Sequence, residues 1–511
     1  MAFDRRSGIL LHPTSLPGKY RIGTLGQEAK NWVQFLESAG QRLWQIMPLG
    51  PTGYGDSPYQ CFSAFAGNPY LIDLDLLVQE GFLYQDDVDT LPVFPDGHVD
   101  FGPVISSKLE MLGKAYERFK ANGSSNQHKA FQSFCEAQAD WLDDYSLFMA
   151  LKEAHDGAAW NTWEKPIRLR QKKAMKSWYD KLSDEINKQK VWQWLFFEQW
   201  ISLKAYANEK DIEIIGDIPI FISMDSADAW ANPDLYYFDK EGNPTVVAGV
   251  PPDYFSVTGQ RWGNPLYRWD KMKETEYAWW IKRIQASLAQ VDRVRIDHFR
   301  GFEAYWAIPA DEPTAVKGKW VKGPDQDFFD AIQNKLGDTP IIAEDLGVIT
   351  PEVEKLRDTN NLPGMKVLQF AFAGDASEPY LPHNYPKNSV VYSGTHDNDT
   401  TKGWYIKAPE KEQDFVRRYL ARGDENIAWD FVRLALSSVA DTAIVPLQDV
   451  IGLGTEARMN TPGKASDNWT WRFTWDEIPY WVAPQLKDMA SLYGRLPQEE
   501  PEDTPYRQST L

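Results

Sequence analysis

Eight short apolar runs rich in β-branched residues limit the fold of this chain more than any other feature. Helical patterns separate several of the runs, and the clearest of them, at residues 191–208, places four apolar residues on one face: Phe196, Trp200, Leu203 and Ala207. Alternating strands and helices predict a parallel sheet in the α/β class. Eight strands predict a closed (β/α)8 TIM barrel. The runs are residues 9–11, 43–48, 212–218, 291–296, 340–343, 365–372, 389–392 and 442–447.

The chain is long for such a barrel, with 511 residues against roughly 250 for the bare fold. We therefore expect one elaborated catalytic domain over residues 1–511, with a mainly helical insertion at 70–185 between the second and third strands. A second segment, 220–275, is rich in Pro, Gly and aromatic residues and shows little periodicity. It predicts a long loop insertion over the C-terminal face of the barrel, between strands three and four. The acidic tail 497–511 should be frayed.

Charge and composition narrow the class of partner. The net charge is -19, which disfavours binding to nucleic acid or to an anionic membrane surface and favours a neutral substrate. Cys61 and Cys135 are the only cysteines, too few for a disulfide framework, and the first nine residues resemble no secretory signal. We therefore expect a cytoplasmic protein. The 22 Trp residues mostly serve packing, but exposed aromatic rings are also suited to the apolar faces of sugars.

Three of the predicted strands end in carboxylates. Asp297 follows the fourth apolar run, Glu344 the fifth and Asp397 the seventh. Barrel enzymes keep their chemistry at the C-terminal ends of the strands. Two carboxylates with a third helper are the groups needed to cleave a glycosidic bond. Taken singly, each has an ordinary structural alternative, as a salt-bridge partner or a helix N-cap.

Residues next to these carboxylates also suit the chemistry. Arg295 lies two residues before Asp297 in the predicted strand, so both side chains point to the same face, and the cation favours the ionised carboxylate. His298 follows Asp297 and His396 precedes Asp397. Spacing alone leaves two roles open for these imidazoles, contact with sugar hydroxyls or orientation of the carboxylates.

Longer segments resemble the α-amylase clan and, within it, the 4-alpha-glucanotransferases known as amylomaltases or disproportionating enzymes. The resemblance is specific because it spans nearly the whole chain. The segments that carry it are Gly8–Pro17, Trp44–Tyr70, Gly249–Pro265 and Arg458–Gly463, together with the three strand ends. Cys61 departs from the small polar residue expected at its position.

The resemblance implies roles for individual residues. It makes Asp297 the nucleophile, Glu344 the acid/base and Asp397 the stabiliser of the distorted sugar. Arg295 would hold Asp297, while His298 and His396 would contact hydroxyls of the reacting glucose. The remaining implied contacts are Asp217 on the donor side, Tyr59 stacked on the reacting ring, Trp262 on the acceptor side, Tyr54 at a secondary glucan contact, and Asp375 touching sugar.

The implied reaction is retaining transfer of α-1,4-glucan segments from a maltooligosaccharide or from a chain derived from starch or glycogen to the 4-hydroxyl of another glucan or glucose, with cyclisation as a variant. We expect no metal and no organic cofactor, because the carboxylates supply both nucleophile and proton. Two alternatives stay open: a hydrolase of the same fold that uses water, and a non-catalytic glucan-binding protein. The covering loop Gly249–Pro265 favours transfer, because it can hold an acceptor and exclude water.

Overall fold

The computed structural model describes residues 5–91, 97–252, 256–464 and 466–496. Eight parallel strands close into a barrel, and each of the eight apolar runs supplies one of them, which confirms the predicted fold class. The tail 497–511, for which fraying is expected, lies outside the described residues. The barrel strands are β1 (Arg6–Leu10), β2 (Leu43–Gln45), β3 (Glu213–Pro219), β6 (Arg293–Asp297), β9 (Ile341–Ala343), β10 (Gly364–Val367), β11 (Ser389–Tyr392) and β12 (Thr442–Pro446).

The barrel closes where β1 pairs with both β12 and β2. Gly8 permits the close approach of β1 to β2, because a Cβ at this position would lie 2.1 Å from the carbonyl oxygen of Leu43. Side chains alternate between the two faces of each strand. The inner face forms a core of its own, made of Leu10, Leu43, Ile215, Ile342, Met365, Val367, Val390, Tyr392 and Ile444.

The outer face of the barrel packs against helices. In β6, Val294 and Ile296 belong to this outer core, so Arg295 between them points into the barrel. The helices that cover the barrel are α1 (Gln27–Ser38), α12 (Ala278–Gln290), α13 (Asp325–Leu336), α14 (Pro351–Thr359), α15 (Thr401–Lys407), α16 (Glu410–Leu420), α17 (Ile427–Ser437), α18 (Leu447–Val450) and α19 (Val482–Leu492).

The segment between β2 and β3 is helical. Side-chain caps start two of its helices: Asp73 accepts from the backbone N–H of Leu76, and Ser124 from that of Gln127. The helices are α2 (Leu74–Gln79), α3 (Gln85–Asp89), α4 (Phe101–Asn122), α5 (Ser125–Ala137), α6 (Ala139–Ala154), α7 (Lys165–Arg168), α8 (Lys172–Lys181) and α9 (Ser183–Glu209). In α9 the four residues of the predicted apolar face are all buried. This helix leads directly into β3.

The segment 220–275 contains more regular structure than the expected loops. It holds α10 (Ala227–Ala231), β4 (Val246–Val250), β5 (Gln260–Pro265) and α11 (Trp269–Glu274). Strand β4 pairs antiparallel with β5 and with β7 (Ala304–Pro309), and β7 pairs with β8 (Lys319–Lys322). The strands escape sequence analysis because β4 and β5 are short, contain Gly and Pro, and need β7, which lies far along the chain.

Short 3-10 turns complete the described chain: Pro13–Ser15, Tyr54–Asp56, Pro69–Leu71, Trp160–Thr162, Pro233–Leu235, Phe299–Phe302, Leu368–Phe370, Pro382–Asn384, Thr455–Ala457 and Trp475–Glu477. Both cysteines are free. Among the helices of the described residues, none is both long and apolar enough to cross a membrane.

Candidate active site

The three predicted carboxylates lie at the same end of the barrel, because the strands that carry them are parallel. Asp297 ends β6, Glu344 follows β9 directly, and Asp397 lies five residues after β11. The register sets Asp217 of β3 opposite Arg295, and Ala343 opposite Ile296. The C-terminal end of the barrel therefore gathers acidic side chains from four strands.

Arg295 connects two of these carboxylates. Its Nη2 donates to Oδ1 of Asp297 at 2.9 Å, and its Nη1 donates to Oδ2 of Asp217 at 2.5 Å. The hydroxyl of Tyr59 donates to the same Asp217 oxygen at 2.8 Å. The Asp217 side chain is only 1% exposed, and through Oδ2 it orients Arg295 and Tyr59, while its Oδ1 has no hydrogen-bond partner among the described residues.

Backbone donors hold both oxygens of Glu344. The N–H of His298 donates to Oε2 at 2.6 Å, and the N–H of Leu346 donates to Oε1 at 2.8 Å. His298 has a left-handed backbone conformation, with φ of 55°, which turns the chain sharply after Asp297. The carboxyl group of Glu344 is thus fixed by the turn that follows the neighbouring strand.

Burial controls the protonation of the central pair. Burial and the nearby charge of Asp297 raise the pKa of Glu344 well above its ordinary range, against the opposing effect of Arg295. Burial also raises the pKa of Asp297 to about 6, although Arg295 lowers it. Both carboxyl pKa values are therefore raised, and Arg295 favours the ionised form of Asp297 as expected, although it does not cancel the effect of burial.

Asp397 is held by the segment that follows β12. Nδ2 of Asn460 donates to its Oδ1 at 2.6 Å, and a guanidinium N–H of Arg458 donates to its backbone carbonyl at 2.6 Å. Nε2 of His396 lies 3.5 Å from the same Oδ1. The Asp397 side chain remains 46% exposed, so it is accessible to a ligand.

Aromatic rings surround the carboxylates. Tyr59 stacks on His396 with ring centroids 5.2 Å apart and an interplanar angle of 15°. Trp469 packs against both of these rings. On the other side, the ring of Trp262 meets His298 edge-on at 4.8 Å. These contacts join the two histidines and Trp262 to the carboxylate cluster.

His298 combines two features that suit substrate binding. Burial lowers its pKa to about 3, so the imidazole is neutral at physiological pH. Its Nε2 is buried and has no hydrogen-bond partner in the described part of the chain. A neutral imidazole with an unsatisfied nitrogen can accept or donate one hydrogen bond to a sugar hydroxyl.

Two residues implied by the resemblance have no contact with this cluster among the described residues. Tyr54 is 78% exposed, five positions before Tyr59 on the loop after β2. The carboxylate of Asp375 accepts from the backbone N–H and the hydroxyl of Ser377, at 2.9 and 2.6 Å. Asp375 therefore stabilises its own turn.

Sequence reasoning missed four residues of the site. Asn460 and Arg458 bind Asp397, Trp469 packs on Tyr59, and the neutral His12 lies buried near His396, which contributes to the low pKa of His12. The segment Arg458–Gly463 is part of the resemblance, but its side chains could not be assigned to Asp397 without the fold.

No group of three or more metal-ligating side chains occurs within residues 5–91, 97–252, 256–464 and 466–496.

Comparison with known proteins places the chain among enzymes of one kind. Residues 11–477 match the family described as 4-alpha-glucanotransferase. The chain is 53% identical to a 4-alpha-glucanotransferase of Thermus thermophilus over 504 residues, with 97% of this chain and 100% of the relative covered. It is 52% identical to one of Synechocystis over 499 residues, covering 97% and 99% of the two chains.

Solved structures of amylomaltases are also similar to this chain. An amylomaltase from Streptococcus agalactiae in complex with acarbose superposes with a TM-score of 0.94 at 40% identity, covering 96% of this chain and 100% of the other. An amylomaltase from Corynebacterium glutamicum, at 18% identity and a TM-score of 0.77, covers 96% of this chain and 74% of its own. The second comparison shows a shared fold alone.

Proposed function

Since this chain belongs to the 4-alpha-glucanotransferase family and transfers segments of α-1,4-glucan, we propose that Asp297, Glu344 and Asp397 carry out the transfer. Asp297 is the nucleophile, Glu344 the acid/base, and Asp397 the group that binds the distorted sugar. One observation carries this assignment. Arg295 holds the carboxylate of Asp297, and the neighbouring carboxyl of Glu344 is buried with a raised pKa.

In the first step Glu344 donates its proton to the glycosidic oxygen that leaves, while Asp297 attacks the anomeric carbon. The bond to the leaving chain breaks, and a covalent glycosyl–Asp297 intermediate forms. In the second step the ionised Glu344 takes the proton from the 4-hydroxyl of an acceptor glucan. That oxygen then displaces Asp297, which leaves as a carboxylate, and the anomeric configuration is retained.

The surrounding side chains differ in role according to their contacts. Asp217 and Arg295 position Asp297 through the ion-pair chain. Tyr59 and His396 form a stacked pair next to Asp397 on the donor side, and their rings suit the face and hydroxyls of the reacting glucose. Trp262, on the acceptor side, meets the ring of His298, which contacts hydroxyls of the reacting glucose. Tyr54 offers an exposed ring farther from the carboxylates and fits a secondary glucan contact.

Incubation with maltotriose tests the function. A ladder of longer and shorter maltooligosaccharides with glucose, read by thin-layer chromatography, is the expected result. Glucose and maltose alone would identify a hydrolase, and unchanged maltotriose would identify a binding protein. A fraction of the products that resists an exo-acting amylase would show that the enzyme also cyclises its donor.

We place the enzyme in the cytoplasm, working on α-1,4-glucan as both donor and acceptor. The two free cysteines suit a reducing compartment. The strongly negative net charge disfavours nucleic acid and anionic lipid as partners. Fractionation of the source cells, followed by activity measurement with maltotriose, tests the location.

A further inference from the structure

Arg300 is a buried cation to which the proposed reaction gives no role. It lies in the 3-10 turn Phe299–Phe302, three positions after Asp297, and is 4% exposed. In the described part of the chain it forms no salt bridge. A buried guanidinium is costly unless its donors are satisfied, so the groups that Arg300 binds indicate what it does.

The guanidinium of Arg300 joins two segments of the barrel mouth. Its Nε donates to the carbonyl of Ala304, at the start of β7, at 3.4 Å. Its Nη1 donates to the carbonyl of Val348, in the loop between β9 and α14. The ring of Trp320 on β8 covers the guanidinium, with 3.9 Å between Cζ and the ring centre. Arg300 therefore ties the turn after β6 to the loop after β9.

The loop after β9 depends on this tie. Its residues 346–349 make two hydrogen bonds to other described residues: the N–H of Leu346 donates to Oε1 of Glu344, and the carbonyl of Val348 accepts from Arg300. Leu346 and Ile349 pack partly against the core, but Gly347 has no side chain and Val348 is 55% exposed. The bond from Arg300 thus holds the middle of the loop.

The turn that contains Arg300 supplies the other donor to the acid/base. The N–H of His298 donates to Oε2 of Glu344 at 2.6 Å, and the N–H of Phe299 donates to the Glu344 carbonyl at 3.0 Å. One guanidinium therefore joins the two segments whose N–H groups hold the two carboxyl oxygens of Glu344.

We propose that Arg300 is a positioning residue for the acid/base: by holding the loop after β9 against the turn after β6, it keeps both backbone donors on the carboxyl group of Glu344. This inference rests on the proposed function, since it concerns how Glu344 acts in the transfer. Arg300 acts through Glu344 and takes no part in attack by Asp297.

Two variants of Arg300 test the proposal. Arg300→Met keeps most of the apolar stem and removes every donor, whereas Arg300→Lys keeps the charge without the planar fork.

The matched control is Arg283→Met. Arg283 is also a buried arginine that lies over a tryptophan ring. Its guanidinium donates to the carbonyls of Pro219 and Ile220 at 2.8 and 3.3 Å. These carbonyls lie at the end of β3, the strand of Asp217, so the control disturbs the side of the site that holds the nucleophile.

Two related donors separate the acid from the rest of the site. Maltotriose needs the proton of Glu344 to release glucose, whereas α-maltosyl fluoride carries fluoride in place of that glucose and needs none. We expect Arg300→Met to lower kcat/KM for maltotriose by roughly tenfold or more, part of the about 100- to 10,000-fold that a general acid contributes. First-turnover release of fluoride, which reports attack by Asp297, should stay within about twofold of the wild-type rate. Arg300→Lys should give an intermediate loss with maltotriose, and Arg283→Met should change both rates by the same factor.

The pH profile gives a second readout. Burial and the charge of Asp297 raise the pKa of Glu344, and the N–H groups of His298 and Leu346 oppose this rise together with Arg295. Weaker bonds from these N–H groups in Arg300→Met should raise the pKa of Glu344 further. Glu344 then stays protonated to higher pH, so the alkaline limb of kcat/KM for maltotriose should move upward. A general loss of stability would leave that limb in place.

An equal loss with both donors in Arg300→Met would overturn the proposal and make Arg300 a residue of general stability, and wild-type kcat/KM for maltotriose would also overturn it. Should circular dichroism show that Arg300→Met does not fold, Arg300→Lys is compared in the same way, and an equal loss with both donors or no loss at all would again overturn the proposal. Failure of the proposed function would appear separately: the wild-type protein would make no ladder from maltotriose, or Glu344→Gln would release no fluoride in its first turnover.

Discussion

The backbone N–H of His298 donates to Oε2 of Glu344 at 2.6 Å. The residue that follows the proposed nucleophile therefore also fixes the proposed acid. The bond links the ends of β6 and β9 and makes the relative positions of Asp297 and Glu344 a property of the barrel. For a retaining mechanism the two carboxyl groups need a separation of roughly 5 to 5.5 Å, which a rigid pair of strand ends can maintain through both steps.

The pH dependence of kcat/KM should be bell-shaped. The nucleophile Asp297 must be ionised, so activity is present above its raised pKa of about 6 and is lost as the pH falls through that value. The acid Glu344 must be protonated, so activity is lost as the pH rises through its own raised pKa. The two limbs belong to the coupled pair.

A glycosyl fluoride donor separates the two limbs. Fluoride leaves without a proton, so the alkaline limb for formation of the intermediate should disappear, and the acid limb should remain near pH 6. Rates of fluoride release across pH measure this. A profile that keeps its alkaline limb with the fluoride donor would show that another group controls it.

With a glycosyl fluoride donor, replacing Glu344 and replacing Asp297 should give opposite results. The Glu344→Gln variant still has its nucleophile, so it should form the covalent intermediate and stall, whereas the Asp297→Asn variant should form none. Mass spectrometry of intact protein detects the added glycosyl mass. An adduct on Asp297→Asn, or attachment to another residue, would reassign the nucleophile.

The Asp397→Asn variant should lose turnover more than donor affinity. Hydrogen bonds from the sugar to this carboxylate strengthen as positive charge develops on the ring, and their loss should cost about 3 kcal/mol or more, roughly a hundredfold in kcat. The Asn460→Ala variant should show a smaller loss of the same kind, because it removes only the 2.6 Å bond that orients Asp397. Near wild-type turnover in Asp397→Asn would reduce this residue to a structural role.

Local pattern was sufficient to predict the barrel, since all eight strands come from runs of apolar residues that need no distant partner to be recognised. Sequence analysis selected Glu344, but the local pattern does not show how its surroundings differ from those of its neighbour Asp345. In the structure Asp345 accepts from Arg357 and from the backbone N–H of Met365. Glu344 instead accepts from two backbone donors next to Asp297. The two carboxylates have different hydrogen-bond donors because their side chains lie on different faces of the turn. The sequence alone does not show on which face each one lies.

The parts of the site that sequence analysis missed depend on contacts between distant segments. Asn460 reaches Asp397 across 63 positions, and β4 pairs with β7 only after α11, α12 and β6 have intervened. Burial is a further effect that the sequence does not reveal. The charge of Arg295 next to Asp297 was evident from the sequence, but the burial that raises the pKa of Asp297 appears only once the barrel is closed.

Activity should survive removal of metal ions. The carboxylates can supply both nucleophile and proton, and no step of the proposed reaction needs a Lewis acid. Dialysis against a strong chelator, followed by the maltotriose incubation in chelated buffer, should give the full wild-type rate. Loss of activity that added calcium restores would show a structural or catalytic metal.

The balance between transfer and hydrolysis should depend on Trp262. This residue lies on β5, within the covering segment Gly249–Pro265, and its ring contacts His298 at 4.8 Å. Residues 253–255 of that segment, including Tyr254 and Phe255, lie outside the described residues. In the Trp262→Ala variant, acceptor stacking worth about 1 to 2 kcal/mol is lost and water gains access to the intermediate. The ratio of hydrolysis to transfer should then rise by up to about tenfold.

Reducing-end formation and glucose release, measured side by side on maltotriose, give the ratio. If Trp262 serves only to pack His298, both reactions will slow together and the ratio will stay constant, which would remove Trp262 from the acceptor site.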